Sequence, residues 1–408
     1  MSRSPFAHDP DWSSLRRAIP SWPVQLAGII SLALYLCSLC WWTEAHDMRD
    51  FLLPWFDHIV AYGPVGAFAH PFSNYTPPYL YLLSALSLFH GSIGPMSLIK
   101  LLSVAGTVFA AYAVADLVGA MGGPRRYALL LFLLPSAVIN AALLGQCDAL
   151  WAGACVLAIA AMIRGSTLRA LVWCGIAVSF KLQAAFMAPF IIGSLIGRRV
   201  PWWQWSVPLA AFAALMLPAW LAGWPALQLA MIYPAQGASY DFPGSLANPW
   251  IFATIYAPDA ARQFYSIGYG AAAVGSFAIA ALTASAVKQP KAMLFLALLS
   301  ALALPFLLPK MHERYFFLAD LLSLAAVLSY PRKQVFVVMI ATQLASVLSL
   351  LTYLFYGTWA YLTFAGVPFA GLAAVTTFSL ARRCGAEWPR FRSGAAPPLP
   401  ASAERTAA

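Results

Sequence analysis

The chain has 408 residues, of which 62% are hydrophobic and 9% are charged. Soluble domains average about 45–50% apolar and about 25% charged residues, so the composition excludes an ordinary soluble protein of two or three domains. The net charge is +10, but the basic residues are spread thinly between apolar segments, which is typical of membrane orientation and not of nucleic-acid binding. The six cysteines have no CxxC or Cys/His spacing, so neither a zinc site nor a disulfide framework is indicated.

Apolar runs close to the length of a membrane span recur along the whole chain. They predict an all-α polytopic membrane protein with about 12 transmembrane helices in one domain, residues 22–381. The predicted spans lie near 22–42, 96–120, 127–143, 149–163, 168–181, 183–197, 203–222, 266–287, 291–308, 315–330, 334–353 and 358–381. Residues 1–21 form a polar segment before the first span, and the tail 382–408 has the composition of a disordered segment.

The basic residues predict which ends of the spans face the cytoplasm, because cytoplasmic connections are enriched in Lys and Arg. With both termini in the cytoplasm, most of the 24 basic residues fall on the inner side. The predicted inner connections carry Arg125, Arg126, Arg164, Arg169, Arg198, Arg199, Lys288, Lys291, Arg332 and Lys333. The exceptions are Arg49, Lys100, Lys181, Arg262, Lys310 and Arg314. These exceptions need a reason other than orientation.

Two outer segments are long, residues 43–95 and 223–265, and both are rich in Pro, Trp and Tyr. In the first, apolar residues recur at helical spacing, which predicts an amphipathic helix lying at the membrane interface. Its predicted apolar face consists of Phe51, Trp55, Ile59 and Val60. Residues 79–89 form a second apolar stretch that is too short to span the bilayer.

Two outer turns carry carboxylates. In the first loop, Asp47 and Asp50 flank Arg49 where the first span emerges, and a solvated loop is the alternative interpretation. The turn Gly145-Gln146-Cys147-Asp148 puts an amide and a carboxylate on the same side of the membrane. There Asp148 is either a functional group or the N-cap of the next helix.

Two further features concentrate positive charge on the outer side. Lys181 lies between two apolar stretches, where an unpaired charge costs at least about 2.5–3.5 kcal/mol; a lysine that extends to the interface is the alternative. The cluster Lys310-Met311-His312-Glu313-Arg314-Tyr315 sets three basic groups around one carboxylate, and an ion pair within the cluster is its alternative. Outside these features, hydrogen-bonded helix contacts are predicted for Asp116, Asn140 and Asp320.

The chemistry suggested by these groups is extracytoplasmic. The sequence has no GxxxxGK[ST] loop and no GxGxxG after a strand, so no nucleotide site is indicated. Cations at the outer interface suit a phosphate anchored there by a lipid, and carboxylates suit removal of a proton from an attacking hydroxyl. We therefore expect an activated substrate that arrives through the membrane.

The outer motifs resemble those of the polyprenyl-phosphate-sugar-dependent membrane glycosyltransferases of the C-type (GT-C) fold, which include the dolichyl-phosphate-glucose and dolichyl-phosphate-mannose transferases. The resemblance covers most of the chain up to about residue 381 and depends on the order of the motifs. They are the acidic first loop before Pro54-Trp55, then Tyr75-Thr76-Pro77-Pro78-Tyr79, Gly145-Gln146-Cys147-Asp148, Phe180-Lys181-Leu182-Gln183, and Leu308-Pro309-Lys310-Met311-His312-Glu313-Arg314-Tyr315.

The resemblance implies an inverting transfer of a hexose, mannose or glucose, from a polyprenyl-phosphate sugar to an acceptor hydroxyl. A first-loop carboxylate would be the general base, and both Asp47 and Asp50 match that position. The implied ligands of the donor phosphate are Lys181, His312, Arg314 and Lys310. The implied supporting residues are Arg49, Tyr75, Gln146, Asp148 and Glu313. Arg314 stands where the eukaryotic glucose transferases have lysine, and a guanidinium also suits phosphate.

No metal or other cofactor is expected, because protein cations would meet the leaving phosphate and the second outer turn lacks a strict Asp-x-Asp pair. The expected partners are a lipid-linked sugar donor, a glycan, lipid or protein acceptor, and membrane lipids, with no nucleic acid. The expected location is a bacterial cytoplasmic (inner) membrane with the active site toward the periplasm, as in assembly of a cell-envelope glycan; an endoplasmic reticulum membrane is the other placement. A transporter or flippase of a lipid-linked sugar is the alternative function, and it predicts charges distributed through the bilayer's depth.

Overall fold

A computed structural model describes residues 21–239, 246–257, 261–355 and 361–388. The predicted N-terminal segment up to residue 20 and the predicted disordered tail from residue 389 lie outside these residues. The described residues are helical throughout, with turns between the helices and no β-strand.

Sixteen α-helices are found in the described residues. They are α1 (Trp22–Cys40), α2 (Leu53–Tyr62), α3 (Pro77–Ser87), α4 (Pro95–Ala120), α5 (Pro135–Val138), α6 (Asp148–Ile163), α7 (Thr167–Phe180), α8 (Ala188–Gly197), α9 (Val207–Leu221), α10 (Ala226–Ser239), α11 (Trp250–Tyr256), α12 (Ala261–Ser285), α13 (Pro290–Leu307), α14 (Phe317–Ser329), α15 (Lys333–Leu354) and α16 (Tyr361–Arg383). Two π-helical turns, Met48–Leu52 and Ile139–Leu143, and four 3₁₀ helices, Gly66–Ala69, Arg125–Leu133, Leu182–Met187 and Trp202–Ser206, complete the described helical segments.

Seven helices of the described residues are long and apolar enough to cross a membrane. They are Trp22–Cys40, Pro95–Ala120, Trp202–Leu221, Gln263–Ser285, Pro290–Leu307, Lys333–Leu354 and Tyr361–Arg383. An eighth span is possible if Arg125–Leu133 and Pro135–Leu143, which meet at 64°, cross as one broken unit. Pro135 explains the break, since the residue before a proline is pushed away from helical geometry. The chain is therefore an integral membrane protein.

The prediction of 12 spans is not confirmed, because four of the predicted spans are short helices. Asp148–Ile163, Thr167–Phe180, Leu182–Gly197 and Phe317–Ser329 have 10–17 residues. At 1.5 Å per residue each is shorter than the roughly 30 Å hydrocarbon core of a bilayer. Nearly every residue of α6 and α14 is buried against other helices. Apolar composition there reflects burial in protein, which a hydropathy pattern cannot distinguish from burial in lipid.

A pair of glycines lets α8 pack closely against α12. Gly193 and Gly197 are four residues apart, a spacing that brings small residues onto one face of a helix. A Cβ at Gly193 would overlap the carbonyl oxygen of Ala280 and lie 2.8 Å from the Cβ of Thr283. The α8–α12 contact therefore requires glycine at this position.

We expect Gly193→Ala to lower the unfolding free energy by about 1–3 kcal/mol, because the added methyl group forces the two helices apart. The matched control is Gly28→Ala in α1, where nothing lies within 4 Å of the new Cβ. Thermal unfolding of both variants in detergent gives the comparison. Equal midpoints for the two variants would show that α8 and α12 tolerate a wider separation.

The predicted inner connections contact one another at one end of the helix bundle. Arg164, after α6, makes a bidentate ion pair with Asp116 of α4, with N–O distances of 2.6 and 2.8 Å. Arg198, after α8, donates to the carbonyl oxygen of Met162 at 2.7 Å. These contacts fasten the ends of α4, α6 and α8 together.

Lys100 is fully buried near the start of α4, at the other end of that helix. Its Nζ donates to the carbonyl oxygens of Cys40, Trp41 and Thr43 at 3.1, 2.7 and 2.7 Å. Helix α1 leaves its last carbonyls without intrahelical partners, and a cation there also interacts favourably with the helix dipole. Lys100 thus closes α1 and fixes where the first outer loop begins.

The helix predicted in the first outer loop is present, but the predicted apolar face is partly wrong. Phe51 is 43% exposed, and the buried face consists of Met48, Leu52, Trp55, Phe56 and Ile59. The π-helical turn before α2 has i→i+5 bonds, so the 3.6-residue spacing assumed from the sequence does not hold there. The buried face packs against Tyr79, Leu80 and Leu83 of the protein, which holds the helix in place beside the outer turns.

Candidate active site

Asp47 lies at the start of the π-helical turn and accepts three hydrogen bonds from distant parts of the chain. Tyr353 Oη donates to Oδ1 at 2.6 Å, and Gln146 Nε2 donates to Oδ2 at 2.9 Å. Arg314 Nη1 forms an ion pair with Oδ2 at 2.5 Å. The carboxylate therefore joins the first outer loop to three other segments.

Gly145 makes the turn that presents Gln146 to Asp47. Its φ is +66°, a left-handed conformation that glycine adopts without strain. A side chain there would collide with Met48, the neighbour of Asp47. The side-chain amide of Gln146 also accepts a hydrogen bond, since Tyr75 Oη donates to Gln146 Oε1 at 3.2 Å.

Asp148 forms a second buried carboxylate centre behind the first. Lys181 Nζ and Trp151 Nε1 donate to Oδ1 at 2.6 and 2.9 Å, and Asn140 Nδ2 donates to Oδ2 at 2.8 Å. Asp148 is the first residue of α6, and no side-chain capping bond is made at the N-cap position before it. The capping interpretation is therefore not supported, and Asp148 serves as the partner of Lys181.

Lys181 does not extend to the membrane interface. It ends α7 with extended backbone geometry, its side chain is 9% exposed, and its Nζ also lies 4.9 Å from the centre of the Tyr75 ring. An aromatic face at this distance favours a cation. The lysine is therefore held inside the protein by one carboxylate and one aromatic ring.

The connection between α13 and α14 brings Glu313 and Arg314 into the same cluster. Arg314 Nε lies 3.7 Å from Asp148 Oδ2 and 3.4 Å from Glu313 Oε1, so the guanidinium bridges the two carboxylate centres. His312 Nδ1 lies 3.7 Å from Glu313 Oε2. Glu313 is 1% exposed and lies between the basic groups on either side of it.

A cleft of about 210 Å³ opens over Asp47. Its charged and polar lining residues include Asp47, Gln146, His312, Glu313 and Arg314. Its aromatic lining residues are Phe51, Trp55, Tyr75 and Tyr353, and Leu52 and Asn74 complete the lining. Aromatic faces beside hydrogen-bonding groups suit a ligand with both apolar C–H surfaces and hydroxyls, as a sugar has.

Five predicted site residues do not line this cleft. Arg49 Nε pairs with Asp50 Oδ1 at 3.0 Å, and their side chains are 59% and 51% exposed. Lys310 Nζ lies 5.5 Å from the centre of the Tyr265 ring, and Lys310 is absent from the cleft walls. Lys181 and Asp148 lie behind the cleft rather than on its surface.

Sequence reasoning missed Tyr353 and assigned Asn140 to ordinary helix contacts. Tyr353 ends a long apolar span, where an aromatic residue is normally interpreted as an interface anchor. Asn140 does make a helix contact, but its partner is the site carboxylate Asp148. Asp320 and Asp116 make the predicted kind of contact: Asp320 accepts bonds from Gln343 and Ser346, and Asp116 pairs with Arg164.

Asp47 is ionised over the whole physiological range. Burial by itself would raise its pKa, but the charge of Arg314 and the hydrogen bonds from Tyr353 and Arg314 outweigh burial and lower the pKa to about 2. The same charge of Arg314 lowers the pKa of Glu313 against the effect of burial. In this arrangement the cleft presents carboxylates, not carboxylic acids.

The low pKa of Asp47 predicts a pH-dependent contribution to stability. A pKa that falls from 3.8 to about 2 on folding stabilises the protein above pH 3.8, and the contribution is lost as the pH falls through 2. At about 1.4 kcal/mol per pKa unit it amounts to roughly 2 kcal/mol. We expect the difference in unfolding free energy between wild type and Asp47→Asn to shrink by about that amount from about pH 5 to about pH 2, as measured by denaturant unfolding in detergent. A difference that does not change with pH would contradict the low pKa.

Within the described residues, no group of three or more His, Cys, Asp or Glu side chains is arranged to hold a metal ion. Metal independence stays a prediction. No family model matches the chain, and no curated protein matches it. The fold and the cleft define an integral membrane protein with a charged and aromatic site next to apolar helices.

Proposed function

We propose that the chain is an inverting glycosyltransferase that moves a hexose, mannose or glucose, from a polyprenyl-phosphate sugar to an acceptor hydroxyl. The observation that carries the proposal is the position of Asp47 in a cleft that also contains Arg314, at 2.5 Å from it. The Asp47 carboxylate can take a proton from a hydroxyl, and the Arg314 guanidinium can bind a phosphate. The motif resemblance supports the same assignment, and the lipid part of such a donor requires a site beside the bilayer.

In the proposed reaction, Asp47 removes the proton of the acceptor hydroxyl as its oxygen bonds to the anomeric carbon. The bond from that carbon to the phosphate oxygen breaks, and its electron pair leaves with the polyprenyl phosphate. Arg314 and His312, both on the cleft wall, meet the phosphate. Attack from the face opposite the leaving group inverts the anomeric configuration. Trp55 and Tyr75 supply the aromatic surface for the sugar.

The choice between the two first-loop carboxylates is made on geometry. Asp47 lines the cleft, whereas Asp50 pairs with Arg49 in solvent. We therefore assign the base to Asp47. Lys181 is assigned to the buried pair with Asp148, from which it supports Arg314 indirectly, because Asp148 lies 3.7 Å from Arg314 Nε.

We further propose that both termini are cytoplasmic and that the cleft faces the periplasm of a bacterial inner membrane. The clustering of Arg164 and Arg198 at the bundle end away from the cleft supports this orientation. In that orientation all 12 apolar units cross or enter the bilayer, and the short helices α6 and α14 are mostly buried against other helices. The product would be a cell-envelope glycan, a glycolipid or a glycosylated protein.

The test is transfer of radiolabelled mannose or glucose from a panel of polyprenyl-phosphate sugars by the purified protein, with native membranes as the source of acceptor. We expect one donor to be consumed, with release of polyprenyl phosphate and a product of inverted anomeric configuration by NMR. The alternative function, a flippase of a lipid-linked sugar, predicts movement of the intact donor between the leaflets of reconstituted vesicles with no product. That second pattern would overturn the transferase.

A further inference from the structure

Arg314 and Lys181 are each paired with a carboxylate before any donor arrives. Three carboxylates, those of Asp47, Asp148 and Glu313, lie within 4 Å of the cations of Arg314 or Lys181. Each cation already has a carboxylate partner, at 2.5 Å for Arg314 and 2.6 Å for Lys181. A phosphate that enters the cleft adds negative charge to a cluster in which carboxylates outnumber these cations. Replacement of a carboxylate at one of these cations relieves that repulsion.

Arg314 is the cation that can make this exchange. It lines the cleft, whereas Lys181 lies behind it. Its Nε is buried, and its Nη1 is the atom that pairs with Asp47 Oδ2. A guanidinium has five N–H donors and can hold a phosphate through two parallel bonds. Movement of Nη1 from Asp47 to a phosphate would cost one ion pair and form another.

Asp47 keeps its position when Arg314 leaves it. Tyr353 still donates to Oδ1 at 2.6 Å and Gln146 to Oδ2 at 2.9 Å. These neutral donors orient the carboxylate without a formal charge, so Asp47 becomes a stronger base. The other charged or titratable groups that face it are Lys181, Glu313, Asp148 and His312, and all of them remain in place.

We propose that the donor phosphate displaces Asp47 from Arg314, so that the carboxylate becomes available as a base only after the donor is bound. This inference rests on the proposed function and adds a regulation to the same site. In the free protein the Asp47–Arg314 pair holds the base in an inactive state. Binding exchanges the phosphate for the carboxylate on Arg314, and the acceptor proton then passes to Asp47 Oδ2 as the phosphate leaves with its electron pair. The donor consequently binds before the acceptor.

The test is binding of a polyprenyl phosphate without sugar, farnesyl or undecaprenyl phosphate, measured by isothermal titration of the purified protein in detergent. The exchange predicts that Asp47→Asn, although inactive in transfer, binds this probe about tenfold more tightly than wild type, or about 1.4 kcal/mol. The variant retains Glu313 and Asp148 as partners of Arg314, so the loop keeps its ion pairs. Asp50→Asn is the matched control, because it removes the same charge three residues away and should leave the affinity unchanged.

A second comparison distinguishes the exchange from a general change in the electrostatic potential of the cleft. In an Arg314→Gln background, Asp47→Asn should give no tightening, since no guanidinium is left to be released. If wild type transfers sugar and binds the probe but Asp47→Asn binds it equally or more weakly, the exchange is overturned and the transferase stands. If neither wild type nor Asp47→Asn binds the probe and no donor is consumed, both proposals fall.

Discussion

Asp47→Asn is expected to reduce sugar transfer by about 100- to 10,000-fold, the usual contribution of a positioned general base. The amide has nearly the same shape as the carboxylate and can still accept hydrogen bonds from Tyr353 and Gln146. What it loses is the ability to take the acceptor's proton. The reduction should appear in kcat, measured with saturating donor in reconstituted membranes, while the amount of folded protein stays the same.

Asp50→Asn is the matched control for this experiment. It makes the same chemical change in the same loop, but Asp50 is half exposed and pairs with Arg49 at 3.0 Å. Both side chains are more than half exposed, so solvent screens the pair and transfer should remain near the wild-type rate. If Asp50→Asn abolishes transfer and Asp47→Asn does not, the assignment of the base is wrong.

Lys181→Met is expected to lower the unfolding free energy by about 3–5 kcal/mol, because it leaves the buried carboxylate of Asp148 without its cation. Asp148 is 2% exposed and Lys181 is 7% exposed, so water does not replace the lost partner. Arg314 Nε, at 3.7 Å, compensates only in part. The measurement is denaturant unfolding in detergent, together with the yield of folded protein.

The double variant Lys181→Met/Asp148→Asn removes both charges and should recover most of that stability. The new amide at position 148 can accept from Trp151 as the carboxylate does, and it can donate to Asn140 once that side chain turns its Oδ1 inward. That oxygen makes no hydrogen bond within the described residues at present. We expect the double variant to retain transfer within about tenfold of wild type, a loss of about 1.4 kcal/mol in transition-state stabilisation. A double variant that is stable but inactive would instead show that Lys181 itself contacts the phosphate, as the motif resemblance implies.

The sequence predicted most of the polar residues that meet in the cleft, because each is unusual in its own segment. A charged group such as Lys181 or Arg314 at the outer end of an apolar run has few ordinary explanations. The same reasoning also selected Arg49, Asp50 and Lys310, which the structure does not bring to the cleft. A difference of two or three residues in position, as from Asp47 to Arg49 and Asp50, decides which side of a helical turn a side chain occupies. Spacing in a loop cannot resolve that difference.

Tyr353 is a site residue that sequence reasoning did not find. Nothing near it in sequence marks it as different from an interface aromatic, and its role arises only because α15 ends beside the first outer loop, where its hydroxyl meets Asp47 at 2.6 Å. Asn140 is similar, since its place in the site depends on its hydrogen bond to Asp148 across a turn.

The amino-acid sequence alone was enough to establish a helical membrane protein, because apolar runs of this length and composition are stable only in lipid or in a packed helical core. It also predicted that the charges which membrane orientation does not explain lie on one side of the membrane. Tertiary packing decided the rest. It buried α6 and α14 in protein, it turned the face of the first-loop helix through a π-helical turn, and it paired Asp47 with Arg314 and Asp148 with Lys181. Pairing of charges depends on distances of a few ångströms between segments far apart in the chain, and only packing sets those distances.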